Sequence, residues 1–421
     1  MEHTEQLNMC KNEKASSKSG EVAKQKWAII SLSSIPLIMT LGNSMLIPVL
    51  TTMEKKLNIS SFQSSMIITV YSIVAILLIP VAGYISDHLG RKKVIIPSLL
   101  IAGIGGLVSG FASWKMDDAY WLILIGRALQ GVGAAGAAPI VMPLVGDMFK
   151  NDEDVSSTLG LIETSNTLGK VLSPILGAFL AGFLWFLPFF SIPVFCVISI
   201  LLMIFLVKCP KNDTKKVPFK EFFINVKKTF TEKGRWLYAI FFVGAALMFV
   251  LFGILFYLSD TFENVYDIHD VKKGLFLAMP LGALCLSSYI TGKVIKKNKV
   301  LMKWITLIGI LLLAASSALL MVSDNLWYLI TMFLISGIGI GAGLPCLDAL
   351  ITEGIEKEER GTITSIYSSM RFIGVAAGPP VIALMMKNNE KALFILLSAL
   401  SIIAAFVIFK AIRPNAEGKS H

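Results

Sequence analysis

The feature that most constrains this chain is a succession of long apolar runs, mostly of about 20 residues or more, separated by short polar connections. A hydrocarbon layer about 30 Å thick takes about 20 helical residues to cross, and inside it the chain must pair every backbone N–H and C=O by itself. Runs of this length therefore read as membrane-spanning helices, whereas a membrane β-barrel would show alternating segments of about ten residues. Charged residues make up 16% of the chain and the mean hydropathy is +0.72. Soluble domains carry about 25% charged residues, so a soluble globular fold is excluded.

The runs lie near 27–50, 62–85, 94–113, 120–147, 156–183, 186–207, 237–259, 272–293, 301–322, 327–349, 361–386 and 391–410. The expected fold is an all-α membrane protein of twelve helices. Residues 1–26 are polar and lysine-rich without a cleavable apolar core, so they read as a cytoplasmic tail, as does 411–421. With the amino terminus inside, 28 of the 38 Lys and Arg fall in inside segments and seven in outside loops. That bias places both termini in the cytoplasm and makes the net charge of +10 a topological signal, so no nucleic-acid partner is implied.

The longest connection, 208–236, carries Phe219, Phe222, Phe223, Val226 and Phe230 at helical spacing among Lys220, Lys227 and Lys228. It reads as an amphipathic helix on the inner leaflet joining two bundles, 27–207 and 237–410, with a solvated linker as the alternative. An offset of 206 residues aligns Gly131 with Gly337, Gly133 with Gly339, Pro139 with Pro345, Asp147 with Glu353, Thr158 with Thr364 and Pro174 with Pro380. A constant offset over two helices and a loop marks a duplication, hence two pseudo-symmetric six-helix bundles around a site at the membrane midplane. The five cysteines and four histidines are scattered, with no spacing for a metal site or a nucleophile, so no enzyme activity is expected.

Between the second and third runs stands Gly83-Tyr-Ile-Ser-Asp87-His-Leu-Gly90-Arg91-Lys92-Lys93. This resembles the signature G-x-x-x-D-x-x-G-R-K/R-K/R of the major facilitator superfamily, with all six defining positions filled. The resemblance implies a conformational latch, in which Asp87 meets the amino-terminal end of helix eleven near Gly361 and Arg91 meets Asp147. Gly83 permits close helix approach and Gly90 a tight turn. The competing reading is that Arg91 to Lys93 only obey the positive-inside rule. The second half keeps a reduced copy, with Lys297 opposite Arg91 and Glu353 opposite Asp147, while Asp87 falls on Lys293.

Helix four carries Gly126-Arg127-Ala-Leu-Gln130-Gly131-Val-Gly133, similar to the family motif R-x-x-x-G-x-G. The resemblance implies a part for Arg127 in proton transfer; a backbone brace is the alternative. Helix five holds Gly160, Gly169, Ser173, Pro174, Gly177 and Ala178, similar to the exporter motif G-x8-G-x3-G-P-x2-G-G with Ser173 and Ala178 in place of glycines. It implies export, against generic small-residue packing as the bland reading.

Away from the ends of the spans the ionisable residues are Arg127, Glu163, Lys170 and Arg371, with Asp348 near the inner end of helix ten. Burial penalises such groups, so they are functional candidates. Glu163 and Asp348 are the proton carriers on this reading, with a static Asp348–Arg371 pair as the alternative. Lys170 and Arg371 suit an anion, and Asn43 and Phe252 are candidate cavity residues, although aromatic residues of helix seven are more often core. The family resemblance then implies a monomeric exporter in the bacterial plasma membrane, driven by the proton gradient and needing no cofactor. Its small-molecule cargo is expected to be an anionic or mixed-charge metabolite such as a catecholate siderophore. A broad-specificity drug antiporter, a solute importer and a non-transporting receptor are the alternatives.

Overall fold

The structure, a computed structural model, describes residues 25–149, 152–208, 219–295, 298–355 and 357–412. Among these it contains twelve long helices: α1 (Lys26–Leu57), α2 (Ser61–Leu89), α3 (Arg91–Lys115), α4 (Tyr120–Met148), α5 (Asp152–Phe183), α6 (Leu187–Leu206), α7 (Phe219–Asn264), α8 (Asp270–Ile295), α9 (Lys299–Leu319), α10 (Leu326–Gly354), α11 (Lys357–Asn388) and α12 (Glu390–Ala411). Eleven of them are long and apolar enough to cross a membrane by length and composition alone. The twelfth, α5, is 32 residues long but is made polar by Glu163, Thr164, Ser165, Asn166, Thr167 and Lys170. Tails 1–24 and 413–421, and the side chains of Phe219 to Phe230, Lys297, Glu353 and Gly361, lie outside what the structure describes.

Local chemistry sets the helix ends. Ser60 and Gln63 form a capping box at the start of α2, the Gln63 N–H donating to Ser60 Oγ at 3.3 Å and the Ser60 N–H to Gln63 Oε1 at 2.9 Å. Asn298, Asn325 and Asn389 cap α9, α10 and α12 in the same sense, each accepting from a backbone N–H two or three residues on. Only Gly90 separates α2 from α3, with φ at +100°, a backbone conformation that side chains with a Cβ rarely adopt. Large apolar side chains such as Leu77 and Phe205 point outward at 67% and 76% exposure, as expected where the surrounding medium is lipid.

One expected boundary dissolves. The segment read as a separate amphipathic helix in 208–236 is helical from Phe219, yet it runs without a break into the seventh span. Its 46 residues rise about 69 Å, more than twice the hydrocarbon thickness, so α7 is longer than one crossing needs, and its apolar span begins at Gly234.

The duplicated residues occupy equivalent places. A Cβ on Gly131 would collide with the Tyr71 carbonyl of α2, and one on Gly337 with the Pro280 carbonyl of α8. Gly133 lies equally close to Ser98 and Ala102 of α3, and Gly339 to Gly309 of α9. Helix α5 packs on α1 through Gly169 against Leu37 and Gly177 against Met45, while α11 packs on α7 through Gly374 against Ala245 and Gly378 against Phe249. Small residues bring these backbones together because lipid supplies no hydrophobic drive for helices to associate.

The two halves meet chiefly along two helix pairs. Helix α2 packs on α11, where the Thr69 hydroxyl donates to the Ala376 carbonyl at 2.8 Å and the rings of Tyr71 and Phe372 lie 6.3 Å apart. Helix α5 meets α8 where Gly274 faces the Pro174 carbonyl and Ala178. Gly160, by contrast, faces open space. Gly177→Leu is therefore expected to separate α1 from α5 at a cost of about 1–3 kcal/mol, read as a clear fall in Tm of the detergent-purified protein. Gly160→Ala, inside α5 with open space for the Cβ, should not lower Tm and is expected to raise it slightly, since alanine favours a helix interior over glycine by about 0.5–1 kcal/mol.

Candidate functional site

The turn between α2 and α3 gathers its charges on one arginine. Arg91 is ion-paired with Asp87, its Nε donates to Asp147 Oδ2 on α4 at 3.1 Å, and its Nη1 donates to Ser86 Oγ at 2.8 Å. Lys92 closes the end of α6, donating to the Ile204 and Val207 carbonyls at 3.1 and 2.8 Å. One cluster thus ties α2, α3, α4 and α6 of the first half. Gly83 faces α11 of the other half, with the Ser365 hydroxyl 3.7 Å from where a Cβ would sit. The contact expected between Asp87 and the end of α11 at Gly361 falls on side chains that are not described.

Arg127 is completely buried. Its Nε donates to the Ile67 carbonyl at 2.8 Å, Nη1 to the Gly42 carbonyl at 3.2 Å and to Gln130 Oε1, and Nη2 to Asn43 Oδ1 at 2.7 Å, while the guanidinium lies 4.6 Å over the Tyr71 ring. The five donors of a guanidinium need many acceptors when no water is present. Here α1, α2 and α4 supply them, and every one is neutral. The arrangement is that of a brace across three helices. It also occupies Asn43, which was expected to face a cavity, and Phe252, expected there too, is packed in the core at 6% exposure.

The remaining charges of the spans lie on α5, α10 and α11. Arg371 Nη1 lies 3.3 Å from Asp348 Oδ1, with side-chain exposures of 17% and 31%, so this pair borders accessible space. Lys170 lies within the electrostatic influence of Arg371, Glu163 and Asp348, as Asp348 does of Glu163, which places all four around one region. Glu163 is held by Asn166 Nδ2 at 3.1 and 3.3 Å, and Asn166 Oδ1 accepts from Thr40 Oγ1 of α1 at 2.5 Å. Only the α1–α5 contact makes Asn166 and Thr40 a support for Glu163, which nothing local in the sequence marks. Lysine and glutamate thus come from the first half and arginine and aspartate from the second.

A second cluster was also invisible in the sequence. Lys273 Nζ of α8 lies 2.8 Å from Glu263 Oε2 of α7 and donates to Thr51 Oγ1 of α1 at 2.6 Å. Lys55 Nζ lies 2.7 Å from Glu263 Oε1, and Thr51 donates to Glu263 as well. Thr51, Lys55 and Glu263 fall past the ends of the spans as read from hydropathy, and Lys273 stands at the very start of one, where charges are ordinary and carry no local signal.

The exporter motif divides by environment: Gly169 and Gly177 lie against α1, Pro174 presents its carbonyl to α8, and the Cα face of Gly160 looks into open space. Ser173, in a glycine position of the motif, turns its hydroxyl to the Gly169 carbonyl at 2.5 Å, so its polar atom is satisfied within α5. For Arg127, Arg127→Lys replaces a planar fork by a single point charge and leaves several acceptors without donors. A loss of about 1–3 kcal/mol is expected, measured as a lower Tm in detergent; an unchanged Tm would exclude bracing.

The pattern of the Major Facilitator Superfamily matches residues 32–308 and 301–421. The bacillibactin exporter of Bacillus subtilis (strain 168) is 58% identical over 381 residues, which cover 90% of this chain and 95% of that protein. The multidrug resistance protein MdtG of Escherichia fergusonii is 26% identical, covering 80% and 81%. Among solved structures, a bacterial homologue of the human lysosomal transporter Spinster, in an inward-facing and unoccupied conformation, superimposes with a TM-score of 0.75 at 14% identity, covering 92% and 96%. The human organic anion transporter MFSD10 (TETRAN) does so with a TM-score of 0.71 at 17% identity, covering 91% and 99%. With its duplicated six-helix halves, its signature turn and these relatives, the chain belongs to the Major Facilitator Superfamily.

Proposed function

We propose that this multi-pass transporter exports a catecholate siderophore, bacillibactin or a close analogue, in exchange for protons. The observation that carries this reading is the 58% identity to the bacillibactin exporter along nine-tenths of the chain. The charge pattern supports it: a polyphenolic chelator is anionic when its hydroxyls ionise, and Lys170 and Arg371 offer it one cation from each half. An anion held between them would draw the halves together, which is the differential contact that alternating access requires.

Protons supply the drive and no cofactor takes part. Glu163 and Asp348 are the carriers: a proton on Asp348 weakens its hold on Arg371 and frees that cation for cargo. Arg127 contributes indirectly by keeping α1, α2 and α4 in register. Asp87, Arg91 and Asp147 form the latch at the cytoplasmic turn, with Gly83 and Gly90 permitting its close geometry. The protein works as a monomer in the bacterial cell membrane with both termini in the cytoplasm. The loop charges favour that orientation.

A broad-specificity drug antiporter is the second reading, favoured by relatives such as the multidrug resistance protein 2 of Bacillus subtilis (strain 168), 25% identical over 65% of this chain. One deletion strain separates the two. Siderophore export predicts that the strain secretes at least about tenfold less catecholate under iron limitation, with unchanged dye accumulation and drug susceptibility. Normal secretion with raised dye accumulation would replace the siderophore reading with the drug reading.

In inside-out vesicles an acidic lumen should drive uptake of the catecholate. Lys170→Ala and Arg371→Ala should each weaken this uptake by about 1–3 kcal/mol, or roughly five- to 150-fold, if the cation contacts cargo. Asp87→Ala should slow turnover while leaving insertion intact, and normal flux in that variant would remove the latch.

A further inference from the structure

The last turns of α1, Leu50–Leu57, carry Thr51 and Lys55 four residues apart and therefore on one helix face. Both reach Glu263 near the end of α7, and Lys273 near the start of α8 completes the group. Helix α1 belongs to the first half, α7 and α8 to the second, so these contacts cross from one half to the other. Beside them Ser259 of α7, itself buried, donates to the Ile47 carbonyl of α1 at 2.7 Å. This end of the molecule is thus clasped across the halves, whereas the ion pairs of Arg91 at the other end stay inside the first half.

The charges in the clasp are distributed unevenly. Lys273 and Glu263 are almost wholly buried, at 2% and 6% side-chain exposure, and belong to the same half. Lys55, from the opposite half, is 59% exposed. If α1 withdrew, Glu263 would keep Lys273 as its counterion, Lys55 would regain water, and the other polar losses would be hydroxyl contacts, those of Thr51 with Glu263 and Lys273 and that of Ser259 with the Ile47 carbonyl. Removing one partner of a buried pair is costly because it strands the other charge. This clasp opens without stranding one, because what crosses between the halves is the hydroxyls of Thr51 and Ser259 and a solvated amine.

We infer that Thr51, Lys55, Glu263 and Lys273 form the gate at the end of the transport path opposite the Gly83–Lys93 turn, and that transport requires this clasp to break and re-form in each cycle. In the orientation proposed above, it is the outer gate. The contacts to Thr51 and Lys55 set how readily the gate opens, and the Glu263–Lys273 pair holds its second-half face in shape.

Ser259→Cys reports the opening. A membrane-impermeant thiol reagent is applied to whole cells and, separately, to inverted vesicles, with the same chains lacking Ser259→Cys as background. In the double variant Thr51→Val, Lys55→Gln, labelling from the cell exterior is expected to rise several-fold at unchanged protein level. These substitutions leave the buried pair intact, so the test holds even if Glu263→Gln fails to insert. Exchanging the pair, Glu263→Lys with Lys273→Glu, keeps an ion pair within the second half but sets a lysine against Lys55. Labelling should then stay fast, and adding Lys55→Glu should slow it again. A labelling rate equal to that of the parent in the double variant, or in the exchanged pair, would overturn the gate and leave the cluster as a brace of α7 on α8. A rise seen only in inverted vesicles supports the clasp and instead overturns the proposed orientation.

Discussion

A charge inside a hydrocarbon layer has to find its counter-ions and hydrogen-bond partners within the protein, and this requirement organises the whole molecule. Arg127 is solvated by two carbonyls, two amide side chains and an aromatic face drawn from three helices. Lys273 and Glu263 solvate each other with the help of a threonine from another helix. Asp348 and Arg371 pair across α10 and α11. None of these groups could be placed in the membrane by its own helix, so each one commits several helices to a single arrangement.

The three charged groups differ in what they bind together. The Arg127 network lies entirely in the first half and makes part of that half rigid. The cluster of Glu163, Lys170, Asp348 and Arg371 brings charges of both signs from both halves to one region, so its energy depends on how the halves sit. The group at Glu263 combines the two cases, with a buried pair inside one half and lighter contacts to the other. Rigid bodies with a few adjustable polar contacts between them are what a two-state mechanism needs, because packed cores resist continuous deformation.

Small residues complete the arrangement. Where α5 meets α1 and α8, and where α11 meets α7, glycines bring backbones into contact, and the same device recurs in the duplicated helices α4 and α10. Neighbouring helices also re-satisfy the groups that proline frees, which allows Pro174 of α5 and Pro379 and Pro380 of α11 to lie inside spans. The duplication is therefore visible in packing as well as in spacing.

Number of spans, the duplicated halves and the signature turn were legible in the sequence because each leaves a local record: length of an apolar run, a constant offset, a fixed spacing ending at Gly90. The single helix from Phe219 to Asn264 was not, since hydropathy reports where a helix enters lipid and is silent on how far it continues outside. The pairing of Asn43 with Arg127 and the burial of Phe252 were not legible for a related reason. A residue type on a helix does not say whether it faces a cavity, an arginine or a packed core. Thr51, Lys55, Glu263 and Lys273 escaped notice because 222 positions separate the first of them from the last and nothing local marks them as partners. By itself the sequence determined which segments lie in the membrane and what family pattern they follow, because lipid selects for length and apolarity one segment at a time. Only the tertiary structure decided which charges neutralise one another, because that depends on which helix faces come to lie side by side.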